Sequence, residues 1–219
     1  MNEYELNLYK NNIFLIAGVD EAGRGPLVGP VVSACVVLPK NYKLDKLNDS
    51  KKLSEKQRNK LFEIISKEAL AIGVGIVDND RIDEINILEA TKESMIIAIN
   101  ECLKKTNIEH ILIDAVKLNI DIPSTSIIKG DSKSKSIAAA SIIAKVTRDK
   151  LMYELDKKYP IYDYKNNKGY PTKKHLECIE KHGIINEYRK TFSPIKNILN
   201  KNWQFFKFMY NTNSEEGNM

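Results

Sequence analysis

Short apolar runs alternate with amphipathic stretches along most of the chain. Residues 13–19 (IFLIAGV) are an apolar run ending at Asp20 and read as a buried strand. Gly23, Gly25 and Pro26 break that run, and residues 27–38 (LVGPVVSACVVL) read as a second strand with Pro30 near its start. Two strands joined by a short glycine-rich turn predict an antiparallel pair. Residues 41–52 are a polar loop. Ser54 then caps a helix running to about Lys67, with Glu55 and Gln57 in its first turn. Residues 70–77 (LAIGVGIV) predict a third strand. Ile87, Leu88, Met95, Ile99 and Leu103 recur at helical spacing and predict a helix over 87–104.

In the second half, residues 110–114 (HILID) and 125–128 (TSII) predict two short strands. A long helix is expected over about 134–158, where Ala138, Ala139 and Ala140 suit close packing against a sheet or a helix. Residues 159–171 form a Tyr/Lys/Asn/Gly loop, and a helix from Thr172 to about Lys181 ends near Gly183. An amphipathic stretch near 194–209 carries Trp203, Phe205, Phe206 and Phe208, and residues 211–219 read as a frayed tail. Strands come first and helices alternate with strands afterwards, so the expected class is α/β, a mixed sheet with helices on its faces. The chain is expected to be one domain over 1–219, with about 172–210 as a C-terminal helical portion.

Three of the predicted strands lead into carboxylates: Asp20 with Glu21, Asp114, and Asp131 just after Lys129-Gly130. Sites collect at strand ends in such sheets. Carboxylates brought together repel unless a cation neutralises them, and hard oxygen ligands suit Mg²⁺ or Mn²⁺. Such a cluster supports in-line hydrolysis of a phosphodiester between two metal ions. Neighbouring strand residues point to opposite faces, so Asp20 and Glu21 are expected to share a site only where the strand ends and the chain bends. Gly23 and Gly25 permit that bend and a close approach of backbone N–H groups, and Arg24 adds a planar cation suited to phosphate. The turn lacks the GxxxxGK[ST] pattern of a P-loop. A β-like run rather than a helix follows it, which disfavours a dinucleotide site.

Composition narrows the reading without replacing it. Hydrophobic residues are 42% and charged residues 29% of the 219, a core-forming balance that excludes a wholly disordered or fibrous chain. No apolar run approaches the ~18 to 20 residues of a membrane span, so no membrane association is expected. The polar start of the chain lacks the basic-then-apolar pattern of a secretory leader. The three cysteines, Cys35, Cys102 and Cys178, are far apart and form no CxxC pair, as expected of reduced thiols in a cytoplasmic protein. Thirty-four basic against 29 acidic residues give a net charge of +5, with basic clusters at 51–52, 129–135, 145–150 and 165–174. That permits binding to a polyanion.

Gly18 to Pro26 (GVDEAGRGP), followed by residues 27–31 (LVGPV), resembles the signature of ribonuclease HII. Further stretches agree in order: 49–53 (DSKKL), 113–115 (IDA), 129–131 (KGD) with 136–145 (SIAAASIIAK), and 168–172 (KGYPT) with His175. Residues 189–194 (RKTFSP) are similar to a family segment that usually begins with His, where this chain has Tyr188. The resemblance spans about residues 13–196. It implies a ribonuclease H-like mixed sheet with a C-terminal helical extension. It implies an endoribonuclease that cuts RNA in RNA–DNA hybrids, and 5′ to single ribonucleotides in duplex DNA, leaving 3′-OH and 5′-phosphate ends. Asp20, Glu21, Asp114 and Asp131 match the family's catalytic, metal-holding carboxylates, the first three at one metal and Asp131 completing a second site. Gly23, Arg24 and Gly25 match the loop that reads the 2′-OH, and Tyr170 the ring stacked under the sugar at the ribo–deoxyribo junction. Lys51 and Lys145 are further candidate phosphate contacts.

Two other readings compete. A ribonuclease HIII-like, hybrid-specific nuclease shares the carboxylates but usually carries an extra N-terminal domain, and only 19 residues precede Asp20. A non-catalytic nucleic-acid-binding protein would use the basic clusters alone, yet carboxylates facing a phosphate backbone weaken binding unless cations bridge them. Cys35 is expected in the core, and His175 and His182 as capping or surface histidines. A monomer is the expected state.

Overall fold

The computed structural model describes residues 2–42 and 53–200. Five strands form one sheet in the order β3-β2-β1-β4-β5. They are β1 (Ile16–Ala22), β2 (Val31–Val37), β3 (Ala71–Val77), β4 (His110–Asp114) and β5 (Ser124–Ile127). The β1–β2 and β2–β3 pairs are antiparallel, and β1–β4 and β4–β5 are parallel. The helices are α1 (Glu3–Lys10), α2 (Glu55–Glu68), α3 (Asn79–Leu103), α4 (Lys135–Lys158), α5 (Tyr164–Asn167) and α6 (Lys173–His182). The expected mixed α/β sheet and its antiparallel first pair are present.

Two helices cover the two faces of the sheet. Met95, Ala98, Ile99 and Cys102 of α3 pack with Ala17, Val19, Cys35, Ile111 and Ile113. On the other face, Ala138, Ala139, Ala140, Ile142 and Ile143 of α4 pack with Ala34 and Val36, under Leu61 and Ile65 of α2. The alanine run is fully buried, as its small side chains predict. Contact there is close enough to demand glycine on β1: a Cβ added to Gly18 would stand 2.0 Å from the carbonyl carbon of Ser136. Helix α4 therefore rests on the backbone of β1 two residues before Asp20.

Several boundaries differ from the sequence expectation, each for a local reason. Strand β1 runs past Asp20 to Ala22, because the ladder with β2 continues through Asp20–Ala34, Glu21–Ser33 and Ala22–Val32. The bend comes at Gly23, at φ 97°. The expected second strand loses residues 27–30, whose backbone pairs elsewhere. Leu27 N–H donates to Gly169 O at 2.8 Å, Arg189 N–H donates to Leu27 O at 2.8 Å, and Gly29 N–H donates to Glu187 O at 2.9 Å. Helix α3 begins at Asn79 rather than 87, as two helical pieces joined at Asn86 (φ 70°). The Asp78 carboxylate caps the first piece through Arg81 N–H, and the Asn86 side chain caps the second through Leu88 and Glu89 N–H. At α2 the expected Ser54 cap is a reciprocal box with Gln57. Helix α1, absent from the sequence reading, is tethered by Glu5, whose buried carboxylate accepts from Ser134 Oγ at 2.6 Å and Ser136 N–H at 3.1 Å.

The stretch expected to be amphipathic is helical from 195 to 200. Trp203, the phenylalanines after it, residues 211–219, and the 49–52 motif with Lys51 lie outside the described residues. Among those described, no helix is long and apolar enough to cross a membrane.

The segments after α4 form a separate aromatic core of Leu27, Val28, Met152, Tyr162, Tyr164, Ile179 and Tyr188. His175 is fully buried within it, not at the surface as expected. Its Nδ1 lies 2.8 Å from Tyr170 O and its Nε2 2.8 Å from the Tyr188 hydroxyl. A carbonyl only accepts, so Nδ1 carries the proton and Nε2 accepts from Tyr188. Burial lowers the His175 pKa below its ordinary value.

Two buried arginines join this core to the sheet. Arg148 of α4 donates Nε to Pro30 O (3.1 Å), Nη1 to Lys168 O (3.0 Å) and Nη2 to Val28 O (3.1 Å). Arg189 donates Nε to Gly29 O (2.9 Å), Nη1 to Arg24 O (3.0 Å) and Nη2 to Gly23 O (2.6 Å).

Arg189→Met leaves three carbonyls without donors and is expected to cost about 3–5 kcal/mol of unfolding free energy, measured by urea titration. A loss below 1 kcal/mol would show that water replaces the guanidinium. His175 supplies a pH prediction. Its folded pKa lies below the unfolded value near 6.5, so the unfolded chain binds the extra proton first, and stability present above that value is lost on acidification through it. His175→Gln, whose amide can still donate to Tyr170 O, should flatten the fall in melting temperature between neutral and mildly acid pH. Parallel curves for the two proteins would refute it.

Candidate active site

The acidic residues come together because β1 and β4 are parallel neighbours. Their register sets Val19 beside Ile113, one step before Asp20 and Asp114. Asp20 is buried, and its Oδ1 accepts the N–H of Glu21 at 2.7 Å. Burial drives its pKa well above the usual carboxylate range, and the charges of Glu21 and Asp114 push it further. The Glu21 N–H and the Ser141 hydroxyl pull the other way. Glu21 is raised by burial, partly offset by Arg24, and raised again by Asp114. Its Oε1 lies 3.4 Å from Arg24 Nη1, while its Oε2 is buried with no hydrogen-bond partner among the described residues.

Asp114 closes β4, and its Oδ1 accepts from Gly130 N–H at 2.6 Å. That bond ties β4 to the 3₁₀ turn Gly130–Ser132, which holds Asp131 buried one residue further on. Lys129 enters the turn in the left-handed region, at φ 56°. Asp20 and Glu21 each sense Asp114 directly, and Asp131 follows the Gly130 whose N–H bonds Asp114.

Among the described residues, no three acidic, histidine or cysteine side chains close on one point as a finished metal shell. Mutual repulsion accounts for that: Glu21 leans on Arg24 and Asp114 on Gly130 N–H. The donor set nevertheless fits a hard divalent cation. It consists of oxygens, two of its carboxyl groups hold protons more tightly than usual, and one buried carboxylate oxygen has no donor.

A cavity of about 310 Å³ opens beside the carboxylates, lined by Glu21, Ala22, Gly23, Arg58, Ser141, Lys145, Arg148 and Tyr170. Tyr170 is 43% exposed, and a Cβ placed on Gly25 would stand 3.4 Å from its Cε1. The glycine-flanked turn and the tyrosine therefore face each other. Lys145 reaches the same cavity, with Nζ 2.7 Å from Asp149 Oδ1. The structure thus sets Glu21, Gly23, Lys145 and Tyr170 on one cavity, with Gly25 against Tyr170, Arg24 on Glu21, and Asp20 and Asp114 within electrostatic reach of Glu21. Asp131 stands one residue after the Gly130 that bonds Asp114, and Lys51 lies outside the described residues.

Arg58, Ser141 and Arg148 had not been singled out. Ser141 and Arg148 carried a faint signal: with Ile137, Ala144 and Met152 they recur at three- and four-residue spacing on the buried face of α4, where polar groups stand out. Arg58, on a mostly exposed helix, carried none.

A family model described as ribonuclease HII matches residues 17–194. The ribonuclease HII of Bacillus cereus (strain B4264) is 55% identical over 201 residues, which is 92% of this chain and 77% of that protein. The ribonuclease H2 of Pyrococcus horikoshii OT3 superposes with a TM-score of 0.72 at 29% identity, over 85% of this chain and 97% of the other. A Bst-RNase HIII structure in complex with Mn²⁺ shares the fold, with a TM-score of 0.65 at 19% identity over 85% and 69% of the two chains. The match runs from β1 through the RKTFSP segment and includes both buried arginines. The chain belongs to the ribonuclease HII family.

Proposed function

We propose that Asp20, Glu21, Asp114 and Asp131 are where this ribonuclease cuts RNA paired with DNA, and that it also cuts 5′ to a single ribonucleotide in duplex DNA. The observation that carries the reading is the apposition of three mutually destabilised carboxylates with a cation-lined cavity shared by Gly23 and Tyr170. Divalent-metal dependence belongs to the family reading, and Mg²⁺ or Mn²⁺ suits the oxygen donors. Asp20, Glu21 and Asp114 would hold one ion, and Asp131 would complete a second site. Such ions supply Lewis-acid stabilisation and an acidic water to phosphodiester hydrolysis.

The chain's own groups do the reading. Gly23 and Gly25 let backbone N–H groups approach the sugar 2′-OH, the group that tells RNA from DNA at a site. Arg24 offers a planar fork to the adjacent phosphate. The Tyr170 ring packs where a 2′-OH would stand on the following sugar, so it accepts deoxyribose there. His175 fixes the ring's starting point through the Tyr170 carbonyl. Lys145, and Lys51 from the undescribed segment, add phosphate contacts. We take the chain as a monomer, with residues about 172–210 as a helical portion of the same domain. Three reduced thiols suit the cytoplasm; Cys35 and Cys102 are buried and unpaired by disulfide.

Asp20→Asn and Asp114→Asn should each lower kcat on a duplex containing one ribonucleotide by at least about 10³-fold, with melting temperature unchanged or raised. Wild-type turnover in either variant would remove the carboxylates from the reaction. Tyr170→Ala should reduce the preference for the ribo–deoxyribo junction over a uniform hybrid by about tenfold or more, against a smaller change in duplex affinity. Competition between the two labelled substrates in one reaction measures this, and an unchanged ratio would rule the ring out as the sugar check.

A further inference from the structure

Three cations line the cavity beside the carboxylates, and they differ in what their donors already do. Lys145 is engaged by Asp149 at 2.7 Å. Arg148 gives all three guanidinium nitrogens to the carbonyls of Pro30, Lys168 and Val28. Arg58, from the first turn of α2, gives Nη1 to Leu53 O at 2.5 Å. Its Nε is buried without a partner among the described residues. Native structures seldom leave a buried donor unpaired, because nothing then offsets the water it lost. Arg58 also lines the open cavity, and among its three cations it is the one least engaged by carbonyls or carboxylates of the described residues.

The geometry selects the ligand. With Nη1 held by Leu53, Nη2 of Arg58 is left for an acceptor in the cavity, and a phosphate oxygen suits a guanidinium donor. The cavity's volume of about 310 Å³ admits a phosphate and its sugar but no duplex. Its positive lining, with Arg148 and Lys145 contributing field, suits an anion more than a base. Glu21 forms part of the same wall, so a phosphate here is a neighbour of the one placed at the carboxylates.

We propose that Arg58 binds a backbone phosphate of the substrate next to the phosphate that is cut, making the cavity between α2, α4 and the β1–β2 turn a phosphate subsite. The inference rests on the reading above of where cutting occurs, but its test needs no cutting. Duplex DNA with one embedded ribonucleotide is titrated in EDTA by fluorescence anisotropy across a salt series, with wild-type protein, R58Q and R58K. R58Q should weaken binding about tenfold at low salt and lower the slope of log Kd against log salt by about one. R58K should keep the slope, since its charge remains, and lose part of the affinity with the fork. In cleavage assays with metal, KM for R58Q should rise by the same factor as Kd.

Wild-type affinity and slope in R58Q would overturn the proposal. So would an affinity loss at unchanged slope with R58K no better than R58Q, which would make Arg58 an anchor for the Leu53 carbonyl. If R58Q melts well below wild type, R58K decides: a normal slope with reduced affinity supports the contact, and unaltered affinity overturns it. Wild-type protein that binds with the full slope but cuts no ribonucleotide-containing duplex would overturn the reading of the carboxylates and leave the Arg58 result intact.

Discussion

Two buried guanidinium groups, bonded to carbonyl oxygens instead of carboxylates, shape the β1–β2 turn and the cavity beside it. Arg148 and Arg189 are both essentially inaccessible to solvent. Between them they take the carbonyls of Gly23, Arg24, Val28, Gly29, Pro30 and Lys168. Burying a cation is costly, and burial lowers their pKa values to about 10 and about 9. Both stay charged at neutral pH because each has three carbonyl dipoles aimed at it. Carbonyls turned inward toward Arg189 leave the Gly23–Gly25 backbone free to present its other edge outward. A carboxylate partner would have neutralised the arginines and left those carbonyls unbonded.

That network explains why the C-terminal segments matter to a site whose acidic residues all precede residue 132. Arg189 reaches the β1–β2 turn, and Asp83 of α3 fixes the backbone just after it, accepting from Lys190 N–H at 2.7 Å and Thr191 N–H at 2.9 Å. Arg148 ties the same turn to Lys168, two residues before Tyr170. Tyr188 stands where the family segment usually has His, and it finds a use in this chain: its hydroxyl donates to His175, whose other nitrogen holds the Tyr170 carbonyl. The turn and the tyrosine are therefore positioned by one connected set of hydrogen bonds, although about two thirds of the chain's length separates them.

The sheet and its covering helices were legible because periodicity records burial. Residues 110–114 were placed without error, and the alanine run on α4 announced its close approach to the sheet. Local signals failed where distant partners decide the outcome. Residues 27–30 look like strand, but Gly169, Glu187 and Arg189 claim their backbone. Helix α1 is a short mix of polar and apolar residues, and it is held by Glu5 against Ser134 and Ser136, which lie about 130 residues away. His175 looks like a surface residue on an amphipathic helix until three tyrosines close over it. The carboxylates were legible as types at strand ends. Their register was not, since β1 continues three residues beyond the apolar run that marks it.

The extension of β1 overturns one expectation: Asp20 and Glu21 lie inside the ladder rather than at a bend, and the Glu21 charge still acts on Asp20. A strand that ended at Val19 would leave both on a flexible turn, able to move apart and relieve their repulsion. The ladder from Asp20 to Ala22 removes that escape and holds two carboxylates beside a third at raised free energy. The penalty for holding them is supported from outside the acidic cluster: by α4 resting on Gly18, by Gly130 N–H on Asp114, and by Arg24 leaning on Glu21. The negative charge gathered there is thus offset by the chain's own donors, and burial still leaves Asp20 and Glu21 holding their protons more tightly than free carboxyls do.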